Sequence, residues 1–254
     1  MNRAARLPRA ALALLSLAFW VGVWAFAAFR YGKPLILPSP LAVCRTLGEM
    51  ALTGVFWKVV FRSIFRILLG ILAALLCGTL LAVLAYKSTV VDTLFSPLLA
   101  LMKATPVASI IFLMLLYLGR DKVPPVIAFM MATPIVFANV KEGLSGVDRQ
   151  LLEMARVFDF SFFTKVRTIY LHALLPYFLA ALRSALSLAW KAGIAAEVLC
   201  VPTGSIGREI FNANLYLETD RLFALTLAVI LISVLIEWGA TRLLSTEKRR
   251  KNNA

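Results

Sequence analysis

The sequence predicts an all-α membrane protein with about six transmembrane helices, on three observations. Apolar residues make up 61% of its 254 positions and charged residues 16%, against about 45–50% and about 25% in a typical soluble chain. The apolar residues fall in runs about as long as the ~20 residues a bilayer-spanning helix needs. Many of the basic residues flank those runs, as topology signals and anionic-lipid contacts do. The same composition excludes a soluble enzyme, a disordered chain and a disulfide-rich secreted module.

The net charge of +14 would suggest nucleic acid in a soluble protein; flanking apolar runs, it speaks for a membrane and no nucleic acid. Cys44, Cys77 and Cys200 lie far apart with no CxxC pair, so no disulfide framework or zinc site is indicated. His172 is the only histidine, which excludes a multi-histidine metal site. GxGxxG, Walker-type GxxxxGK[ST] and GxSxG are absent, so no nucleotide site, nucleophile elbow or catalytic residue is claimed.

The elements follow in order. Arg3, Arg6 and Arg9 precede a first span at about 10–29, too long for a usual signal-peptide core and read as an uncleaved helix. In the mixed segment after it, Ser39-Pro40 reads as an N-cap followed by proline at the first helical position, opening a short interfacial helix over Leu41 to Leu52. The second span is about 64–86, with Gly70 and Gly78 as small packing residues. Lys87-Ser88-Thr89 is a tight polar turn. The third span, about 94–118, is interrupted by Lys103 and Pro106, and Gly119 suits the position past its end. Pro124 and Pro125 suit the start of a fourth span at about 124–140, which Pro134 should kink. A fifth span covers about 174–201. A loop with Gly204, Gly207 and Glu209 leads to a sixth at about 222–244, and Lys248-Arg249-Arg250-Lys251 closes the chain. Basic clusters at both ends, together with an even number of spans, place both termini in the cytoplasm.

Residues 141–172 form the one long polar stretch between spans. Asp148 is a plausible N-cap, and Leu151, Leu152, Ala155 and Phe158 recur at helical spacing. Asp159 stands at a natural break, being among the few residues that tolerate left-handed geometry. A second run, Phe160 to Leu171, leads into the fifth span. Such a helix has an apolar face with nothing in its own span to cover it, and on physical grounds a protein partner and the membrane surface remain equally open.

Glu153-Met154-Ala155, then Asp159, then Ile169-Tyr170-Leu171 resembles the EAA loop of ABC-transporter permeases of the binding-protein-dependent importer type. That pattern reads Glu-Ala-Ala, three residues, Gly, nine residues, Ile, one residue, Leu-Pro. The spacing fits throughout; Met154, Asp159 and His172 depart from it, and Pro176 offers a helix break near His172. Leu37-Pro38-Ser39-Pro40, Ala189-Trp190-Lys191, Ala195-Ala196-Glu197, the Gly204 to Gly207 loop and Tyr216-x-x-Thr219-Asp220 together resemble the sulfonate, taurine and nitrate importer branch, whose relatives also carry pyrimidine-type vitamin precursors.

The resemblance implies a single permease domain over residues 1–254 with the type I importer (MetI-like) fold. It implies a chain that is not itself an enzyme and binds no cofactor, ATP being bound by cytoplasmic ABC ATPase subunits. A second permease copy, an external or periplasmic solute-binding protein and membrane lipid complete the expected partners. Glu153, Met154, Ala155, Asp159, Ile169 and Leu171 belong to the loop that docks on the ATPase. A docking helix over Asp148 to Phe158 would be roughly 16 Å long at 1.5 Å per residue.

Charges within spans are costly and are functional candidates by default. Lys103 and Arg183 lie at similar depth and read as a way-station for an anionic solute, or as cations snorkelling to the interface. Trp190 reads as an anchor or a pathway wall. Lys191 and Glu197 are about 120° apart on their helix and do not pair along one face; structural, gating and pathway roles are open to both. A self-sufficient secondary transporter would show repeated halves, and a membrane-embedded enzyme would need clustered His, Asp or Cys; neither is seen.

Overall fold

The computed structural model describes Arg9–Asn252, with side chains over 11–240 and at Arg242. The predicted basic residues Arg3 and Arg6, and the side chains of Arg9 and of the 248–251 cluster, lie outside the described residues. Among the described residues every regular element is helical: α1 (Arg9–Tyr31), α2 (Pro40–Ala51), α3 (Gly54–Lys87), α4 (Thr89–Ala104), α5 (Val107–Leu118), α6 (Val123–Ser145), α7 (Arg149–Val157), α8 (Phe162–Lys165), a π turn (Val166–Tyr170), α9 (Leu171–Cys200), α10 (Ile206–Leu215) and α11 (Thr219–Asn252). Five helices are long and apolar enough to cross a membrane, or six if the α4–α5 pair counts as one span.

Four details differ from the sequence reading. The third span is two helices bent by 107°. Pro106 has no amide hydrogen and disfavours helical geometry in the residue before it; Thr105 is accordingly extended, at φ −71° and ψ 129°. Helix α3 begins at Gly54, well before Ile64, so Lys58, Arg62 and Arg66 ride on helix. No break occurs at His172: α9 continues through Pro176, and the irregularity sits earlier, in the π turn. Gly207 and Glu209 lie in α10 rather than in a loop.

The chain divides into two compact units. One takes in the chain up to Lys58 together with Glu209–Val229. Ser39 caps α2 through its side chain, with Pro40 at the first helical position. The linker after α1 is tied down twice: Trp24 Nε1 donates to the Pro38 carbonyl at 3.1 Å, and Thr219 Oγ1 donates to the Leu35 carbonyl at 2.6 Å. The Trp24 and Phe223 rings stack at 6.0 Å. Arg221 pairs with Glu209 at 2.6 Å and Glu218 at 3.1 Å.

The other unit takes in Val59–Arg208 and the chain from Ile230 onward. Its centre is the α6–α9 pair. Ile127 and Met131 of α6 meet Ala192, Ala196 and Cys200 of α9 in one buried cluster, which Ile111 of α5 also joins. Alanine and glycine along α9 let the backbones approach, the usual solution where lipid supplies no hydrophobic drive between helices. Gly70 and Gly78 do the same for α3. A Cβ at Gly70 would collide with the Pro125 carbonyl, and one at Gly78 would lie 2.9 Å from Val136 Cβ.

Candidate functional site

Three arrangements carry polar or exposed chemistry. The first is the loop between α6 and α9. Asp148 caps α7, its side chain accepting from the Gln150 amide. The helix ends in a Schellman-type stop: Phe160 N–H donates to Ala155 O at 2.9 Å and Asp159 N–H to Arg156 O at 3.2 Å. Asp159 takes the left-handed position there with φ +47°, where glycine is the usual residue.

This stop folds the chain back so that Ala155, with no exposed surface, packs on Val147 and Ile169, with Leu152, Phe160, Tyr170 and Ala173 around them. The apolar side of α7 continues beyond this contact and is open there. Leu151, Met154 and Phe158 share one face at helical spacing and are exposed, as is Val157 at 79%. Phe162 and Phe163 extend that surface past the turn. Glu153 is exposed, and so is Leu171. The loop residues thus divide by role: Ala155 and Ile169 form its internal core, while Glu153, Met154 and Leu171 face outward.

The second arrangement surrounds Glu197, near the far end of α9. Its carboxylate has no exposed surface. Ser63 Oγ donates to Oε2 at 2.7 Å, Arg66 Nη1 to Oε1 at 3.1 Å, and the Gly207 amide to Oε2 at 3.2 Å. Arg66 Nη2 also reaches Asp121 Oδ1 at 3.1 Å and the Thr203 carbonyl at 3.4 Å. Ser63 Oγ accepts from the Ile206 amide at 2.9 Å, and Ser205 Oγ from the Arg208 amide at 3.0 Å.

The first amides of a helix lack intrahelical partners, and a helix N-terminus favours negative charge. Glu197, Ser63 and Ser205 supply what the start of α10 lacks. Glycine is required at 207 because a Cβ there would overlap Glu197. Val201 closes α9 in left-handed geometry at φ +52°, a strained position for a β-branched residue.

The third arrangement is a cleft of about 430 Å³ lined by Arg183, Ser184, Ser187, Leu188, Lys191 and Glu237. Positions 183, 187 and 191 fall four apart and so share one face of α9.

The structure therefore brings Arg183 and Lys191 together and separates them from the other predicted span residues. Lys103 is exposed in the last turn of α4. Trp190 is buried and does not line the cleft, and its Nε1 has no hydrogen-bond partner. Glu197 is held within the network just described. Ser63, Arg66 and Gly207 escaped sequence reasoning, although an arginine three residues after a serine at the mouth of an apolar run was the legible signal. Ser184 and Ser187 escaped as well, although the four-residue spacing from Arg183 to Lys191 would have found Ser187; Glu237, expected at the inner end of the sixth span beside interfacial water or a basic neighbour, lines the same cleft.

A family model described as the binding-protein-dependent transport system inner membrane component matches residues 66–246. The chain belongs to that family. Among individual relatives, a putative aliphatic sulfonates transport permease protein of Bacillus subtilis (strain 168) is 27% identical over 190 residues, 74% of this chain and 68% of the relative. The Escherichia coli (strain K12) protein of the same description is 28% identical, over 85% of this chain and 81% of its own length. A riboflavin transport system permease protein of Chloroflexus aurantiacus is 25% identical, over 90% and 88%.

The chain is an ABC importer-type permease subunit with the MetI-like fold, a multi-pass protein of the inner membrane. As such it works with ATPase and binding-protein partners. The match spans all three arrangements except Ser63 of the Glu197 network.

Proposed function

We propose that this permease lines the path of a small solute and draws on ATP hydrolysed by a separate cytoplasmic subunit, coupled through the 148–159 helix and turn. Nucleotide binding belongs to that partner, and both termini of this chain face it. A second copy of the chain completes the path, and an external binding protein delivers the solute. A sulfonate- or nitrate-like anion is the first class to test and a pyrimidine-type vitamin precursor the second, since two relatives are named for aliphatic sulfonates and another for riboflavin.

One observation carries the reading: the apolar side of α7 is wider than its own loop covers, with Ala155 and Leu152 spent on the loop's core and Leu151, Met154, Val157 and Phe158 left open. With one side already occupied by Val147 and Ile169, the open side suits a groove on another protein. The capped turn joins this helix to the run from Phe162 to Cys200, so a push on α7 reaches α9 as a rigid-body displacement. The π turn sits between them, a local irregularity of the kind often found at functional positions.

The test is reconstitution of the permease with its ATPase and binding protein. Glu153→Ala, and removal of one turn from α7, should abolish solute-stimulated ATP hydrolysis and uptake while the permease remains inserted. Unchanged stimulation in both variants would overturn the coupling role.

A further inference from the structure

The face of α9 that carries Arg183, Ser184, Ser187 and Lys191 presents a chemistry that a helix in lipid cannot keep. Arg183, Ser184 and Lys191 are exposed and Ser187 is half-buried. Neither cation forms an ion pair among the described residues. In the helical run Phe162–Cys200, Arg183 lies about two residues, or about 3 Å, from the middle by helical rise, and Lys191 about ten residues, or about 15 Å, out. The hydrocarbon core extends about 15 Å to either side of its centre, so Arg183 is far from lipid phosphates and Lys191 stands toward the edge of the core. An unpaired cation inside the core is costly unless it meets water or a counter-charge. The remainder of α9 is packed with alanine and glycine against α6, which leaves this face as the one turned from the core of its own chain.

The cleft also fixes what it attracts. Two cations, two hydroxyls and the Glu237 carboxylate across from them give a net charge of +1. Guanidinium, ammonium and hydroxyl groups all donate hydrogen bonds, and low-dielectric walls focus their field on whatever enters. A single negative charge spread over several acceptor oxygens satisfies this set.

We infer that the Arg183–Ser184–Ser187–Lys191 face with Glu237 is a water-filled site within the membrane that takes a small oxyanion of charge −1, such as a carboxylate or sulfonate group. The inference rests on this chain being a pathway-forming permease subunit. It is independent of the α7 docking role.

The experiment uses the full transporter complex in lipid nanodiscs, with Cys44, Cys77 and Cys200 replaced and Ser187→Cys introduced. Two water-soluble thiol reagents of equal size are compared, one bearing a sulfonate and one a quaternary ammonium. The sulfonate reagent should react about tenfold faster or more, in line with the focusing of counter-ions in a charged cleft. In Arg183→Gln and Lys191→Gln backgrounds that preference should fall toward unity, and Lys191→Arg should restore it. If the glutamine variants fail to assemble, added acetate should slow the sulfonate reagent selectively in the parent instead. No reaction with either reagent, or equal rates with both, overturns the site. Basal ATP hydrolysis, measured on the same samples, shows whether the complex is intact, and solute-stimulated hydrolysis separates this outcome from a failure of coupling.

Discussion

Ser63 Oγ donates a 2.7 Å hydrogen bond to Glu197 Oε2 while accepting one of 2.9 Å from the Ile206 amide. One hydroxyl thereby joins α3, the end of α9 and the start of α10. Because the carboxylate is wholly buried, removing it leaves the Ser63 hydroxyl and the Gly207 amide without their acceptor, while Arg66 keeps Asp121 and the Thr203 carbonyl. Glu197→Ala should cost about 1–3 kcal/mol for each buried donor left unsatisfied. Ser63→Ala should cost about 1–3 kcal/mol, the desolvation penalty of the acceptor left behind. Thermal unfolding in a fixed detergent, with both variants and their double, measures the two losses and their coupling.

Gly207→Ala should be as damaging as the loss of Glu197 itself, since the added Cβ would overlap Glu197 and displace its carboxylate from the Gly207 amide. Gly48→Ala is the matched control: nothing lies within 4 Å of a Cβ there. It should leave the melting temperature unchanged or raise it slightly, because alanine favours helix by about 1 kcal/mol. Melting curves of the two variants side by side decide the point.

Asp159 occupies a backbone conformation that costs an L-residue about 1–2 kcal/mol. Asp159→Gly should therefore stabilise the stop after α7, slowing amide hydrogen exchange at Phe160, whose N–H closes the motif. Asp159→Val should speed that exchange and loosen the Ala155–Ile169 contact. Exchange mass spectrometry over 148–171 reads both changes.

Val157→Asp places a charge on the open face of α7 without touching the Ala155 side. The permease should insert and melt as before, while ATPase subunits no longer copurify with it. Ala155→Leu does the reverse: it overfills the loop's core at a cost of about 1–3 kcal/mol and should lower stability before it lowers partner binding. Pull-down yield and melting temperature, measured on both variants, distinguish the two faces.

Much of the local structure was legible before any coordinates. The Ser39-Pro40 start of α2, the Asp148 cap, the left-handed turn at Asp159 and the packing role of Gly70 and Gly78 all follow from short-range rules that a few adjacent residues obey by themselves. The bend between α4 and α5 was signalled by Pro106 but not its angle, because a proline frees the chain to turn and its neighbours choose how far. The start of α3 was missed by reliance on hydropathy: Lys58, Arg62 and Arg66 end an apolar run without ending a helix. The helix break expected near His172 from Pro176 was absent, because α9 runs through that proline.

Composition and spacing alone determined that the chain lives in a membrane, roughly where its apolar helices lie, and which polar loop stands out between them, since burial cost and helical period act residue by residue. Which charges meet was decided only by tertiary structure. Lys191 and Glu197, six positions apart, part company onto a polar cleft and a sealed network, whereas Ser63 and Glu197, remote in sequence, are joined by a hydrogen bond. The angle of a side chain about its helix is written in the sequence, but what waits on that side is not; it depends on how other helices pack.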